Sequence, residues 1–382
     1  MNGSLRVGTL FGIPFYIHPS WFLVLGLVTL SYGSGLANLF PASAGSLPWL
    51  LGLTAALLMF ASVLAHELGH SFVAIAQGIE VKSITLFLFG GLASLDKESR
   101  TPAGAFGVAI AGPAVSLVLF ALFSALKAVS GLAVPLVALS GLLASVNLAL
   151  ALFNLIPGLP LDGGNILKAL IWQVTDNPYK GTKLAARAGQ AFGWLAVAAG
   201  VIPWLTTGSF GNFWYAVIGW FLLRNADRAA QSADLSDRMS QLTAADAVTP
   251  DSPIVSEQLT LRQFANTYVI GKMTWRQYLV TNLEGQLTGT LSVNDLKRIP
   301  VETWPQVEVK ELMRPYENKT TIAADASLLD AVKALEERKL SELSVLDHEG
   351  QLLGLLEKTA IPELLRSRDS GRSELSSELQ AQ

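Results

Sequence analysis

Cysteine is absent from all 382 residues, so no disulfide framework, thiolate metal site or thiol nucleophile is open to this chain. Any metal must be held by histidine and carboxylate. Histidine itself is scarce, at four residues, and charged residues make up only 15% of the chain against 51% hydrophobic. With a mean hydropathy of +0.42, this is the composition of an integral membrane protein. The shortage of charge is uneven. Residues 1–228 hold 11 Lys and Arg against 7 Asp and Glu, whereas residues 229–382 hold 16 against 23. A weakly basic membrane part therefore precedes an acidic soluble part, and without a basic stripe nucleic acid is not expected as a direct partner.

Apolar runs predict six spans, at about 15–38, 49–76, 103–128, 132–155, 184–206 and 210–228. Arg6 ahead of the first run and Ala42-Ser43-Ala44 after it have the outline of a signal peptide. The run from Phe15 to Phe40 exceeds a signal core and carries His18 and Pro19, so a retained span is expected. The connections at 38–48, 129–131 and 207–209 carry no charge, whereas 77–102 holds Lys82, Lys97 and Arg100 and 156–183 holds Lys168, Lys180 and Lys183. The positive-inside rule makes those two loops, both termini and the soluble part cytoplasmic. Within 77–102, Val81–Phe89 reads as a strand, Gly90-Gly91 as a tight turn and Leu92–Leu95 as a return strand. This small β-hairpin has two open readings: a structural cover, or an edge strand that pairs with an unwound peptide.

The second span carries the chemistry. After the apolar stretch Leu51–Ala65 come His66-Glu67-Leu68-Gly69-His70. On a helix the two imidazoles lie one turn apart on one face, with Glu67 beside them. That is the zinc-peptidase arrangement of two ligands and a general base. Such patterns recur by chance in soluble helices, but ionisable groups about 15 Å inside a membrane span are costly and point to function. A third ligand is needed. Asp162, in Phe153-Asn154-Leu-Ile-Pro-Gly-Leu-Pro-Leu-Asp162-Gly-Gly, is the only carboxylate between Glu98 and Asp176. A lone Asp there also suits a turn or helix cap. Its placement on the same membrane side as His66 and His70 favours the ligand.

Taken together, HELGH in the second span, Asn154-Leu-Ile-Pro and Pro160-Leu-Asp162-Gly-Gly resemble the site-2 protease family of intramembrane zinc metallopeptidases over roughly residues 6–228. The resemblance implies one zinc per chain on His66, His70 and Asp162, Glu67 as general base, and Asn154 steadying the substrate carbonyl. Asn147 fits an interhelical hydrogen bond instead. His18-Pro19-Ser20-Trp21 resembles the family's first span, where His18 reads as an interfacial residue rather than one over the site entrance. Ala111-Gly112-Pro113 resembles a third-span motif, but Ser116 stands where many members have Asn, and a local kink suffices there.

The soluble half holds an internal repeat: Glu284-Gly-Gln-Leu with Gly289 recurs as Glu349-Gly-Gln-Leu with Gly354. Each copy reads as a helix (259–269; 327–339), a strand (277–281; 343–346), a Gly turn, a second strand and a short helix. This resembles a tandem pair of CBS domains, which implies an adenine nucleotide as ligand and a homodimer through the pair. Ser292 and Asp295 match the ribose-holding pattern in the first copy, while the second has Glu357 and no matching Asp. One nucleotide site, or a packing module with a Ser/Asp helix cap, both stand.

The expected fold is thus a membrane α-helical unit of about six transmembrane helices with a small β-hairpin, followed by a soluble α/β CBS pair. The expected divisions are 1–228, a linker at 229–242, CBS copies at about 243–299 and 305–365, and a disordered tail at 366–382. The expected function is intramembrane cleavage of another protein's transmembrane segment. A CBS-regulated transporter or channel using the same cluster is the alternative, disfavoured because no inverted repeat is evident. A metal-free scaffold is disfavoured because all four motif residues are present.

Overall fold

The computed structural model describes residues 3–39, 45–88, 90–129, 131, 133–270 and 275–368, which fall into two compact units, 1–234 and 235–382. The first opens with β1 (Leu5–Leu10) and β2 (Ile13–Ile17), joined by Phe11 and Gly12 with φ of 50° and 83°. Positive φ at both central residues is what a two-residue hairpin turn of matching twist requires. There follow α1 (Ser20–Leu39), α2 (Leu47–Ala76), β3 (Val81–Phe87) and β4 (Gly90–Leu95). The unit continues with α3 (Pro102–Ala128), α4 (Val134–Asn154), α5 (Asp162–Thr175), α6 (Pro178–Thr207) and α7 (Phe213–Ser240). Pro48, Pro102, Pro135 and Pro178 sit at the first or second position of their helices, where a missing N–H breaks no intrahelical bond.

Among the described residues five helices, α1, α2, α3, α4 and α6, are long and apolar enough to cross a membrane. Phe22, Leu23 and Leu27 on α1 and Leu117, Val118 and Leu122 on α3 are exposed, as side chains that meet lipid should be. The expected sixth span, 210–228, is the apolar front of α7, which also carries Arg224, Asp227 and Arg228. The stretch expected as a linker, 229–242, continues α7 to Ser240; it contains no Gly or Pro to stop a helix.

Two expectations are corrected. The first span begins at Ser20 rather than 15, because Ile13–Ile17 pairs as a strand. The small hairpin is half of a four-stranded sheet, β1-β2-β3-β4, in which β2 runs parallel to β3 and the other pairs are antiparallel. Gly90 and Gly91 belong to β4, opposite Phe87 and Leu86, rather than to a turn. β4 is therefore a sheet edge. Ile13, Leu68, Ala74, Val81 and Ile84 form the core that seats this sheet against α2.

The second unit repeats one pattern. In the first copy β5 (Ile254–Ser256) runs parallel to β6 (Gln277–Thr281), which pairs antiparallel with β7 (Leu287–Ser292), and β8 (Arg314–Pro315) adds at the edge. In the second, β9 (Thr321–Ala323) runs parallel to β10 (Glu342–Leu346), which pairs antiparallel with β11 (Leu352–Glu357). The first-copy helix is shorter than expected: α8 (Leu261–Phe264) runs into a π turn at Ala265–Val269. After α9 (Val309–Leu312) comes α10 (Leu328–Arg338), which starts where Ser327 accepts a hydrogen bond from the Asp330 amide. Residues 361–368 are helical, so the expected tail at 366–382 is helical at its start and otherwise lies outside the described residues.

Candidate metal centre

His66 and His70 project from one face of α2, and Asp162 comes from the first turn of α5. The His66 Nε2 and His70 Nε2 atoms lie 3.1 and 3.3 Å from Asp162 Oδ2 and 3.3 Å from each other. The other imidazole nitrogens are held from behind. His70 Nδ1 lies 2.6 Å from the Val108 carbonyl on α3, an acceptor only, so Nδ1 carries the proton and Nε2 presents a lone pair. His66 Nδ1 lies 2.9 Å from the hydroxyl of Ser116, which can accept its proton in the same way. Two imidazole lone pairs and a carboxylate oxygen thus converge with no donor between them, an arrangement that calls for a cation.

The space also fits. Three ligand atoms on one tetrahedral zinc at about 2.0–2.1 Å stand about 3.3 Å apart. Gly112 on α3 borders the same spot: a Cβ there would meet His70 Nε2 and lie 2.7 Å from His66 Nε2. The absence of a side chain at 112 leaves the cradle open. The Asp162-Gly-Gly sequence has a comparable reason, because a Cβ at Gly163 would strike the Leu155 and Ile156 carbonyls and one at Gly164 would strike the Gly158 backbone. Two glycines are what allow α5 to start hard against the broken end of α4.

Glu67, next to the ligands, takes a hydrogen bond at 3.2 Å from the Ala93 amide on β4. It lines a cavity of about 380 Å³ together with His66, His70, Asp162 and Asn154. One wall of this cavity is β4, from Gly90 to Ala93. All five residues expected in the membrane site are therefore in one place, with His66, His70 and Asp162 forming a three-residue group suited to a metal ion.

Other expectations divide. Asn147 donates to Ser62 on α2 at 3.0 Å and to the Leu143 carbonyl at 2.8 Å, the interhelical role expected of it. His18 is exposed, bonds Ser20 at 2.8 Å and does not line the cavity. Ser116 is corrected: far from a mere kink neighbour, it is fully buried and holds His66. Sequence reasoning also missed Asn165 and Lys168, which line the cavity from α5. Asn165 follows Asp162 at the three-residue spacing of one helix face, which was the available signal for it.

In the soluble unit Ser292 and Asp295 lie three residues apart at the end of β7, as the ribose pattern asks. Asp295 is buried, and its Oδ1 takes a 2.8 Å hydrogen bond from Arg314. Its buried Oδ2 has no hydrogen-bond partner among the described residues. Ser292 accepts from the Asn294 amide at 3.3 Å, the helix-cap role.

A model of peptidase family M50 matches residues 54–134 and 130–196, and a CBS-domain model matches 309–366. A Synechocystis protein, a zinc metalloprotease by name, is 57% identical over 96% of this chain and 97% of its own length. A Mycobacterium tuberculosis protein, likewise a zinc metalloprotease by name, is 34% identical over 84% of this chain and 82% of its own. The solved site-2 protease of Methanocaldococcus jannaschii is 28% identical, with a TM-score of 0.42, over 59% of this chain and 95% of that one. The chain belongs to peptidase family M50, the site-2 proteases, and carries a CBS region after its membrane unit.

Proposed function

We propose that this chain is an intramembrane zinc endopeptidase that cuts the transmembrane segment of another protein. His66, His70 and Asp162 hold the metal, one per chain. Bound there, zinc supplies Lewis-acid activation of a water and of the peptide carbonyl. Glu67 takes the proton of the attacking water and returns it to the leaving amine. The Ala93 amide fixes one oxygen of Glu67 and leaves the other for that exchange. Asn154, on the cavity wall, donates to the substrate carbonyl. A membrane helix hides its amides, so the substrate unwinds and is held extended; β4, a sheet edge lining the cavity, is suited to pair with it. The charge pattern of the loops supports a reading with both termini in the cytoplasm.

The observation that carries this reading is the donor-free triangle of His66, His70 and Asp162 beside Glu67 in an accessible cavity. Cleavage of a single-span substrate in liposomes by wild type and Glu67→Gln, with zinc measured on both, tests it. Zinc in both proteins and a loss of roughly 10³-fold in the variant is the expected result. Freshly purified wild type without zinc would remove the catalytic reading and favour the transporter alternative.

The CBS pair is the proposed regulatory and homodimerisation module. An adenine nucleotide at Ser292 and Asp295 fits the unpartnered Asp295 Oδ2, which a ribose hydroxyl would satisfy. Calorimetric titration with ATP, against Ser292→Ala, measures it.

A further inference from the structure

Asp162, Asn165 and Lys168 follow one another at three-residue spacing on α5 and all line the cavity. Lys168 donates to Glu98, in the segment between β4 and α3, at 2.7 Å. The two partners differ in setting: the Lys168 side chain is 14% exposed and the Glu98 side chain 81%. Both line the cavity, but the cation is largely covered while its anion is mostly exposed to solvent. Ion pairs with an exposed member contribute only about 0–1 kcal/mol, so another carboxylate arriving from the cavity side can take the place of Glu98.

Position along α5 says where that carboxylate sits. Six residues of helix rise about 9 Å, and an extended peptide covers about 3.3 Å per residue. A peptide with its scissile carbonyl beside Asp162, laid between α5 and β4, brings its third residue onward to Lys168. We propose that Lys168 is a specificity-determining residue that reads an acidic side chain about three residues from the cleaved bond, exchanging Glu98 for the substrate carboxylate. The inference rests on the peptidase reading above and names the substrate feature that reading lacks.

A plain structural brace would also join Lys168 to Glu98, but the two roles differ in sign. If the pair only braces the cavity, removing either partner has the same effect. If Lys168 reads substrate, Glu98 is a competitor, and removing it has the opposite effect to removing Lys168.

The test uses the full-length protein carrying Glu67→Gln, in nanodiscs, with zinc content and melting temperature recorded for each variant. Fluorescence anisotropy measures binding of apolar peptides that differ only in a single Asp or Asn. The background protein should favour the Asp peptide roughly tenfold, the worth of one charge-assisted hydrogen bond. Adding Lys168→Gln should bring that ratio to near one, Lys168→Arg should keep it, and Glu98→Gln should raise it. An unchanged ratio in Lys168→Gln, or a fall in both Lys168→Gln and Glu98→Gln, overturns the inference and leaves the peptidase reading intact. Failure of zinc-loaded protein to bind any of the peptides overturns both.

Discussion

Two carboxylates, Asp162 half-buried in the membrane unit and Asp295 buried in the soluble unit, have different neighbours. Asp162 faces the lone-pair nitrogens of His66 and His70, with no donor of the chain's own to neutralise it. Asp295 lies deeper and has Arg314 on one oxygen. Residues 1–228 hold few charges, 11 basic and 7 acidic; the neighbours of Asp162 are imidazole lone pairs, and its counter-charge has to come from outside. In the acidic soluble unit a guanidinium is at hand, so one oxygen of Asp295 is satisfied internally and the other is left for a ligand. The same residue type therefore asks for a whole counter-ion in one half of the molecule and for one further hydrogen bond in the other.

The sharpest way to break this contrast is Gly112→Ala. It changes no ligand, yet its methyl occupies the cradle beside the two Nε2 atoms. Zinc should be lost and cleavage should fall by roughly 10³-fold, the scale of Lewis-acid catalysis, measured by metal analysis and turnover of the same sample.

Asp295→Ala should lower the stability of the soluble unit by about 1 kcal/mol or less in the absence of nucleotide, because Arg314, which loses its acceptor, is itself largely exposed. Thermal unfolding of the full chain with and without ATP measures it. A loss seen only with ATP would move Asp295 to the ligand side of the comparison.

Ser116→Ala removes the group behind His66 and should weaken zinc binding roughly tenfold. Competition with a chelator at fixed pH reads this directly, and an unchanged affinity would return Ser116 to a packing role.

The smallest effect is in the second repeat, where Glu342 and Glu357 lie directly opposite on β10 and β11. Burial, with Glu357 adding to it, holds the Glu342 carboxyl above its ordinary value. The folded state thus binds its proton more tightly than the unfolded state, and stability falls as pH rises from the ordinary glutamate value through the raised one. Glu357→Gln should recover about 0.5 kcal/mol above that window and nothing below it, read by amide exchange in β10 and β11.

This difference also explains what could be read from the residues alone. Two histidines at i and i+4 with a glutamate between them, in a run that otherwise carries no charge, leave few structural explanations, and Asp162 stands alone for many residues on either side. Ser116 was misjudged because a hydroxyl has no fixed meaning until its partner is known; here that partner is 50 residues away. β2 was hidden because Ile13–Ile17 is as apolar as the helix that follows, and a Phe-Gly turn lacks the Asn or Asp that usually marks a hairpin. The CBS repeat was plain from its 65-residue offset. The ion pair on Asp295 was not, since Arg314 reaches it from β8, outside the repeated motif.

Gly112 has an evolutionary consequence. A duplicated gene that acquired alanine at this one codon would encode a protein with HELGH and the Asp-Gly-Gly turn unaltered and no room for the ion. Natural metal-free descendants of this lineage are therefore to be sought first at the third helix, where one added methyl group meets both imidazoles.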